Sequence, residues 1–450
     1  MKIIECPNEF IKQKLTIPEP SDSYRWSNYI IKLIIGNFIL LYNGITSAIV
    51  RLTNREYENG LKNKKLREML FVVPQDYPEY EIYQYLRSII RPNIKFDIEK
   101  TLYSYTILNT TKCNARCKYC FENDEEFKTT KQHMDDHTID NLLKLIQTNY
   151  DNNGKDVVIG LFGGEPFFHQ KSLDRIFNYL KDHNIRYKSN FISNGYLINE
   201  KMIDKLIDLY HCTNGQITLD GTEETYNSIK NYIYKNGPSP YKVVLENIDR
   251  IINTGKIGLS IRVNYDPRGD YSSQLEVAKI MSDKYGHLDN VKVYIHEYYR
   301  KDYTLEEQEK MFELYKKYSY ETVYSRYLNV LSNLFIYEKC MSDSGQSIVI
   351  SPNGDLYKCE DMPKGGKIGN LNEYFDNGTP IDIELMNKFY FDFLEFEECK
   401  KCNIKPFCIK LEFCPEDDTK NCSLIKKYKI TEDLNNTIKA KYEQWLKSNK

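Results

Sequence analysis

The sequence predicts an α/β protein of several domains, centred on parallel strands joined by crossover helices. Three observations lead there. The chain has 450 residues, more than one compact core usually organises. Residues 100 to about 300 alternate short apolar runs with amphipathic stretches. Ten of the twelve cysteines fall in two clusters, 113–120 and 340–422, which marks off a separate cysteine-rich region behind the alternating one.

The alternating region contributes strands at Tyr103–Leu108, Val157–Phe162, Phe191–Ser193, Gln216–Leu219, Leu259–Val263 and Val291–Ile295. Between them, Ile139–Gln147, Leu173–Leu180 and Lys201–Leu209 carry apolar residues at helical spacing. Strand and helix in strict alternation imply a barrel or a doubly wound sheet. Ahead of this region, Tyr29–Ile35, Phe38–Tyr42 and Ala48–Leu52 read as strands, with an Asn43-Gly44 turn. Asn54 is placed to cap a segment starting at Arg55, and Tyr80–Ile90 reads as a helix. After the alternation, residues 304–339 look helical and lead into short strands and turns, and Asn435–Lys447 reads as a terminal helix.

Composition excludes several classes. With 41% hydrophobic and 28% charged residues and a net charge of -2, acids and bases interspersed, the chain has no footprint for nucleic acid or an anionic membrane. No apolar run reaches the ~20 residues that span a bilayer. The start, MKIIECPNEF, has no apolar stretch with a small-residue cleavage site, so a cytoplasmic location is expected. In a reducing cytosol clustered cysteines point to metal rather than disulfides. Cys6 and Cys212 stand apart and read as small buried or incidental thiols.

The segment T-K-C-N-A-R-C-K-Y-C-F-E sets Cys113, Cys117 and Cys120 directly after the first strand of the alternation. Three thiolates on one loop supply three of the four ligands of a 4Fe-4S cluster and leave one iron open. An electron carrier would normally use four, and structural zinc prefers paired knuckles with four ligands. With its C-x3-C-x-aromatic-C spacing, the segment resembles the signature of the radical S-adenosylmethionine (SAM) superfamily, whose aromatic, here Tyr119, lies beside adenine. That resemblance implies a partial (βα)6 barrel and reductive cleavage of SAM to a 5′-deoxyadenosyl radical. It extends to L-F-G-G-E-P after the second strand. There Gly163, Gly164, Glu165 and Pro166 match the motif that meets the SAM amino group, the glycines allowing close approach and Glu165 an ammonium pair. Ser193 and Asn194 end the third strand, where the family offers polar contacts to SAM. Asp220 in T-L-D-G closes the fourth, and Asn264 ends the fifth. Each of these also reads as an ordinary turn or cap. The family often places an arginine for the SAM carboxylate where this chain has Lys230, which keeps the charge and loses the bidentate fork.

Cys340, then Cys359, Cys399, Cys402, Cys408, Cys414 and Cys422 resemble the SPASM extension, which binds two auxiliary 4Fe-4S clusters, making three in all. By that resemblance Cys399, Cys402, Cys408 and Cys422 complete one cluster, and Cys340, Cys359 and Cys414 hold the other. The Cys408–Cys414 loop is two residues longer than the family's. Gln346 stands where fully ligated relatives place an extra cysteine. A pair of zinc knuckles is the other reading of these residues. Asn43–Tyr57 and the segments after it resemble the small winged-helix-like amino-terminal domains of peptide-maturing radical SAM enzymes, which capture a leader peptide as an added strand. A purely structural cap on the barrel is the alternative.

The expected organisation is thus a peptide-recognition domain at 1–95, the barrel at 96–310, a helical linker at 311–334, the SPASM region at 335–425 and a terminal helix at 426–450. The expected activity is oxidative modification of a ribosomally made precursor peptide, forming a thioether or another crosslink, with a flavodoxin or ferredoxin as reductant. The alternatives are an anaerobic sulfatase maturase, with Glu360 beside Cys359 as its base, and a non-catalytic iron-sulfur carrier or peptide-binding scaffold.

Overall fold

The computed structural model describes residues 1–15, 18–90, 96–120, 132–298, 303–318, 345–360, 366–391, 396–408, 422 and 424–449. Cys340, Cys414 and the expected helix beyond Tyr318 lie outside them.

Four strands, β1 (Lys2–Glu5), β3 (Ile30–Ile35), β4 (Phe38–Asn43) and β5 (Ile49–Thr53), form an antiparallel sheet in the order β1-β5-β4-β3. Beside it, β2 (Tyr24–Trp26) pairs with β6 (Val72–Pro74). The Asn43 side chain accepts from the amides of Ile45 and Thr46 and donates to the Leu70 carbonyl, which closes the expected turn. The helix expected after it is Asn54–Glu58, and its cap is Thr53 rather than Asn54. Thr53 has Glu56 three residues on, and the two close a capping box that Asn54 has no glutamate to complete.

The central sheet contains β7 (Ser104–Leu108), β8 (Val157–Phe162), β9 (Tyr187–Ser193), β10 (Cys212–Thr218), β11 (Gly258–Tyr265) and β12 (Val291–Glu297). All six are parallel and adjacent in chain order, so the crossovers wind one way and no switch point divides the sheet. A doubly wound sheet would reverse its order partway; this one is an open barrel. On its other edge β13 (Ser347–Ile350) pairs parallel with β7, followed by the antiparallel β14 (Asp355–Tyr357) and β15 (Lys367–Asn370). Alternate strand residues, Val157, Ile159 and Leu161 for example, enter one continuous core against the helices.

The terminal helix spans Leu424–Ser448, which contains the expected Asn435–Lys447 and most of the segment 426–450. It does not stand apart. Leu434, Ile438 and Tyr442 share a core with Ile31, Leu33, Leu40, Tyr42 and Ile49 of the amino-terminal sheet, and Ile404 and Phe407 of the cysteine-rich region join it. Lys441 pairs with Glu5, and Tyr29 donates to the Lys400 carbonyl. The two ends of the chain therefore stabilise each other. Replacing Ile438 by Ala is expected to cost about 2–5 kcal/mol, read as a lower urea midpoint, with earlier proteolysis at both termini together.

Candidate active site

The expected site residues collect at the carboxyl ends of the parallel strands, where open α/β sheets bind ligands. From Leu108 the chain enters a loop over Asn109–Cys120 that the rest of the barrel mouth holds in place. Asn109 donates to the Pro166 and His169 carbonyls, tying the loop to the L-F-G-G-E-P turn. Arg116 and Lys118 donate backbone amides to the carbonyls of Lys230 and Ile229, and Ile233 donates to Asn114. Gly164 has φ +44, and a Cβ there would lie 2.4 Å from the Lys112 carbonyl oxygen. Its close approach is thus to the cysteine loop itself, which any side chain would push away.

Cys113, Cys117 and Cys120 are half-buried and line one cavity of about 290 Å³, shared with Thr111, Lys112, Gly164, Phe168 and Ile233. Among the described residues no three ligating side chains converge on a single ion-sized centre. Three thiols of one loop opening on a shared cavity supply the ligand set of a 4Fe-4S cluster with one iron left open. Asn194 Nδ2 lies 3.8 Å from Cys113 Sγ and 2.7 Å from Asn114 Oδ1.

Glu165 is fully buried behind the turn. Its carboxylate accepts from Ser193 Oγ at 2.8 Å and from the Asn194 amide at 2.9 Å. Burial pushes its pKa up to about 7, only partly offset by these donors. The Lys230 charge acts on it as well but is the smallest of these influences, so a carboxylate this deeply enclosed fits the ammonium of an amino-acid ligand, whose charge would favour its ionised form. Gly163 (φ +83) and Pro166, which starts the short turn Pro166–His169, set the geometry that carries Glu165 inward.

The other expected contacts form a closed network. Lys230 Nζ lies 2.7 Å from Asp220 Oδ2, 2.7 Å from Thr218 Oγ1 and 2.8 Å from the Tyr119 hydroxyl. Tyr119 donates to Asp220 at 2.5 Å, and Asn264 donates its side-chain amide to both. Burial disfavours the Lys230 charge, yet Asp220 and then Tyr119 hold its pKa well above the ordinary value. Burial, with Asp220 next, pushes the Tyr119 hydroxyl well up. Lys230, expected at the SAM carboxylate, has its ammonium turned onto protein groups, and the Tyr119 ring stacks on Tyr298 with centroids 4.4 Å apart.

Sequence reasoning passed over Tyr298, although it directly follows β12 at the strand end where the other site residues were sought. It also missed the stacked imidazoles of His133 and His169, 3.9 Å apart, which join the return of the cysteine loop to the glycine turn. Neither histidine sits in a motif, so no local pattern announced the pair. The second cysteine group is only partly placed. β14 runs antiparallel to β13, so buried Cys359, with half-buried Glu360 after it, lies at the amino end of β7, opposite the end that carries Cys113. Cys399 lies in the short turn Glu397–Lys401, Cys402 ends it, Cys408 ends the next turn, Lys405–Phe407, and Cys422 is exposed.

The radical SAM superfamily profile matches residues 107–265, the stretch from the end of β7 through β11. These residues are a radical SAM domain, a kind of domain that uses SAM and a 4Fe-4S cluster. It is 23% identical over 299 residues to the radical SAM cyclopropyl synthase TigE of Paramaledivibacter caminithermalis, covering 59% of this chain and 58% of TigE, so only part of that relative is matched. By fold it is similar to anSMEcpe with bound AdoMet, with a TM-score of 0.53 and 15% identity over 77% of this chain and 94% of that one. It is also similar to Streptococcus suis SuiB bound to precursor peptide SuiA, with a TM-score of 0.50 and 15% identity over 90% of this chain and all of SuiB. Among the described residues no helix is long and apolar enough to cross a membrane.

Two outcomes follow from the buried charges. Because the pKa of Glu165 is raised on folding, the folded state holds its proton where the unfolded chain has lost it. Without SAM, stability should therefore fall between pH 4.5 and about 7 by up to roughly 3 kcal/mol and then level off. Glu165→Gln should flatten that part of the melting temperature-against-pH curve. Lys230→Met strands Asp220 in the interior and should cost about 3–5 kcal/mol in urea unfolding, part of which Lys230→Met with Asp220→Leu recovers.

Proposed function

We propose that this chain is a radical SAM peptide maturase, which modifies a ribosomally made precursor by forming an intramolecular thioether or another crosslink. The observation that carries the reading is the shared cavity: three thiols of one loop open onto it, Gly164 closes its side, and a buried carboxylate stands behind that turn. Cys113, Cys117 and Cys120 would hold the cluster, and Glu165 the SAM ammonium, with Ser193 and Asn194 fixing the carboxylate. When bound, cluster and SAM supply a one-electron reductive cleavage that yields a 5′-deoxyadenosyl radical. The chain's own residues then do the positioning. Phe168 and Ile233 give the cavity apolar lining, and the Lys230–Asp220 pair locks Tyr119 against the strand ends.

A peptide substrate is supported by the fold shared with SuiB, which was solved with its precursor peptide. It is supported also by the amino-terminal sheet, whose edge strand β3 carries Ile34 at 73% exposure and is open to an added leader strand. Cys359, Cys399, Cys402, Cys408 and Cys422, together with Cys340 and Cys414, would hold two auxiliary clusters. A flavodoxin or ferredoxin would supply electrons. The sulfatase-maturase alternative rests on Glu360 following Cys359, and product mass separates the two readings.

Anaerobically reconstituted protein given SAM and dithionite should release 5′-deoxyadenosine, and Cys113→Ala, Cys117→Ala or Cys120→Ala should bring release to background while iron bound elsewhere persists. Wild-type protein that retains iron and sulfide yet releases none would overturn the catalytic reading.

A further inference from the structure

Cys113 meets polar groups that are no part of the expected ligand set. Its Sγ lies 3.4 Å from the Ala115 backbone amide, 3.8 Å from Asn194 Nδ2 and 3.8 Å from Asn114 Oδ1. Ala115 and Asn114 belong to the cysteine loop itself. Asn194 directly follows β9, 81 residues on, so its side chain reaches the sulfur because the barrel brings that strand end against the loop.

Asn194 is held by every polar group it has. Its backbone amide donates to Glu165 Oε2 at 2.9 Å, and its carbonyl accepts from the Tyr226 and Tyr232 hydroxyls at 3.4 and 3.3 Å. Its Oδ1 accepts from the Tyr196 amide at 3.1 Å, and an amide turned the other way would lose that bond, so the NH2 end faces the loop. That end carries two hydrogens. One goes to Asn114 Oδ1 at 2.7 Å, and the other serves Cys113 Sγ. Both asparagines are buried, where water competes little with such bonds.

A cysteine that ligates iron is deprotonated and can only accept hydrogen bonds. Its contact with Asn114 Oδ1 then sets two acceptors side by side, which the Asn194 hydrogens between them relieve. One-electron reduction of a cluster adds negative charge, part of it on the thiolate sulfurs, and a fixed N–H dipole aimed at a sulfur favours that more negative state. We propose that Asn194 is a positioning residue that acts on the cluster through Cys113: its side-chain amide donates an N–H···S hydrogen bond and raises the reduction potential, easing the electron transfer that SAM cleavage needs. The proposal rests on the assignment of the cluster to Cys113, Cys117 and Cys120. It makes one residue touch both halves of the site, Glu165 through its backbone and Cys113 through its side chain.

The test is a redox titration of the reconstituted full chain without SAM, followed by electron paramagnetic resonance on the signal that a triple variant, Cys113→Ala with Cys117→Ala and Cys120→Ala, lacks. Asn194→Leu keeps the shape of the side chain and removes its donor. It should make that cluster about tenfold harder to reduce, a midpoint about 59 mV more negative. Asn109→Ala loosens the same loop, but the described contacts of Asn109 are the Pro166 and His169 carbonyls and Ser172, so its midpoint should stay near wild type. Wild type carrying nitrogen-15 in its asparagine side-chain amides should show a nitrogen coupling to the reduced cluster in pulsed spectra. A midpoint unchanged in Asn194→Leu, an equal shift in Asn109→Ala, or no coupling in wild type overturns the proposal, and the last decides it even where a variant fails to fold. Wild type without the loop's signal sinks the cluster assignment itself, an outcome distinct from a signal that is present and indifferent to Asn194.

Discussion

The ion pair between Lys230 and Asp220 is the interaction on which the barrel mouth depends. Both groups are almost wholly out of water, at 2% and 0% side-chain exposure, where an unpaired charge costs several kcal/mol. The pair therefore has to be assembled completely or not at all. Its partners come from distant parts of the chain: Tyr119 from the cysteine loop, Thr218 from β10 and Asn264 from β11. The Lys230 backbone carbonyl also receives the Arg116 amide. One desolvated pair thus couples the loop of three thiols to the strand ends, which makes the loop's shape a property of the folded barrel.

Glu165 shows the opposite solution to burial. Its donors and the charge of Lys230 offset burial only in part, and its pKa stays raised to about 7. Asp220 thus has a lysine within hydrogen-bond reach, whereas the described partners of Glu165 are neutral donors. The pairing with Asp220 also accounts for the lysine at position 230: a cation committed to Asp220 and Tyr119 needs no guanidinium fork.

The single sheet organises more than the mouth. Strands β13 to β15 continue it beyond β7, so the cysteine-rich region begins as an extension of the barrel. The cysteine-rich turns and the terminal helix then pack on the amino-terminal sheet. The boundaries drawn along the sequence near 95, 335 and 425 separate segments that share cores in three dimensions. A change in the terminal helix is therefore felt by the first sixty residues.

Much of this was legible in the sequence. All six parallel strands appear within a few residues of their apolar runs, because burial on the helix side demands Val, Ile and Leu at alternate positions. The cysteine spacing and L-F-G-G-E-P marked the mouth because their chemistry is local: three thiols within one loop, and glycines where a Cβ would strike the neighbouring backbone. The cap at Thr53 was missed by one residue because Asn54 is also a good capping residue, and the choice fell to Glu56. What the sequence could not determine was anything set by residues far apart in the chain. That Lys230 turns inward to Asp220, that Tyr298 stacks on Tyr119, that His133 meets His169 and that Arg262 of β11 meets His296 of β12 all depend on which elements lie side by side. The sequence by itself determined the superfamily's cysteine loop and the strand periodicity, since both are written in short-range spacing. Only the tertiary structure decided which of the charged residues are buried and which partners they meet there, because desolvation is a property of the assembled fold.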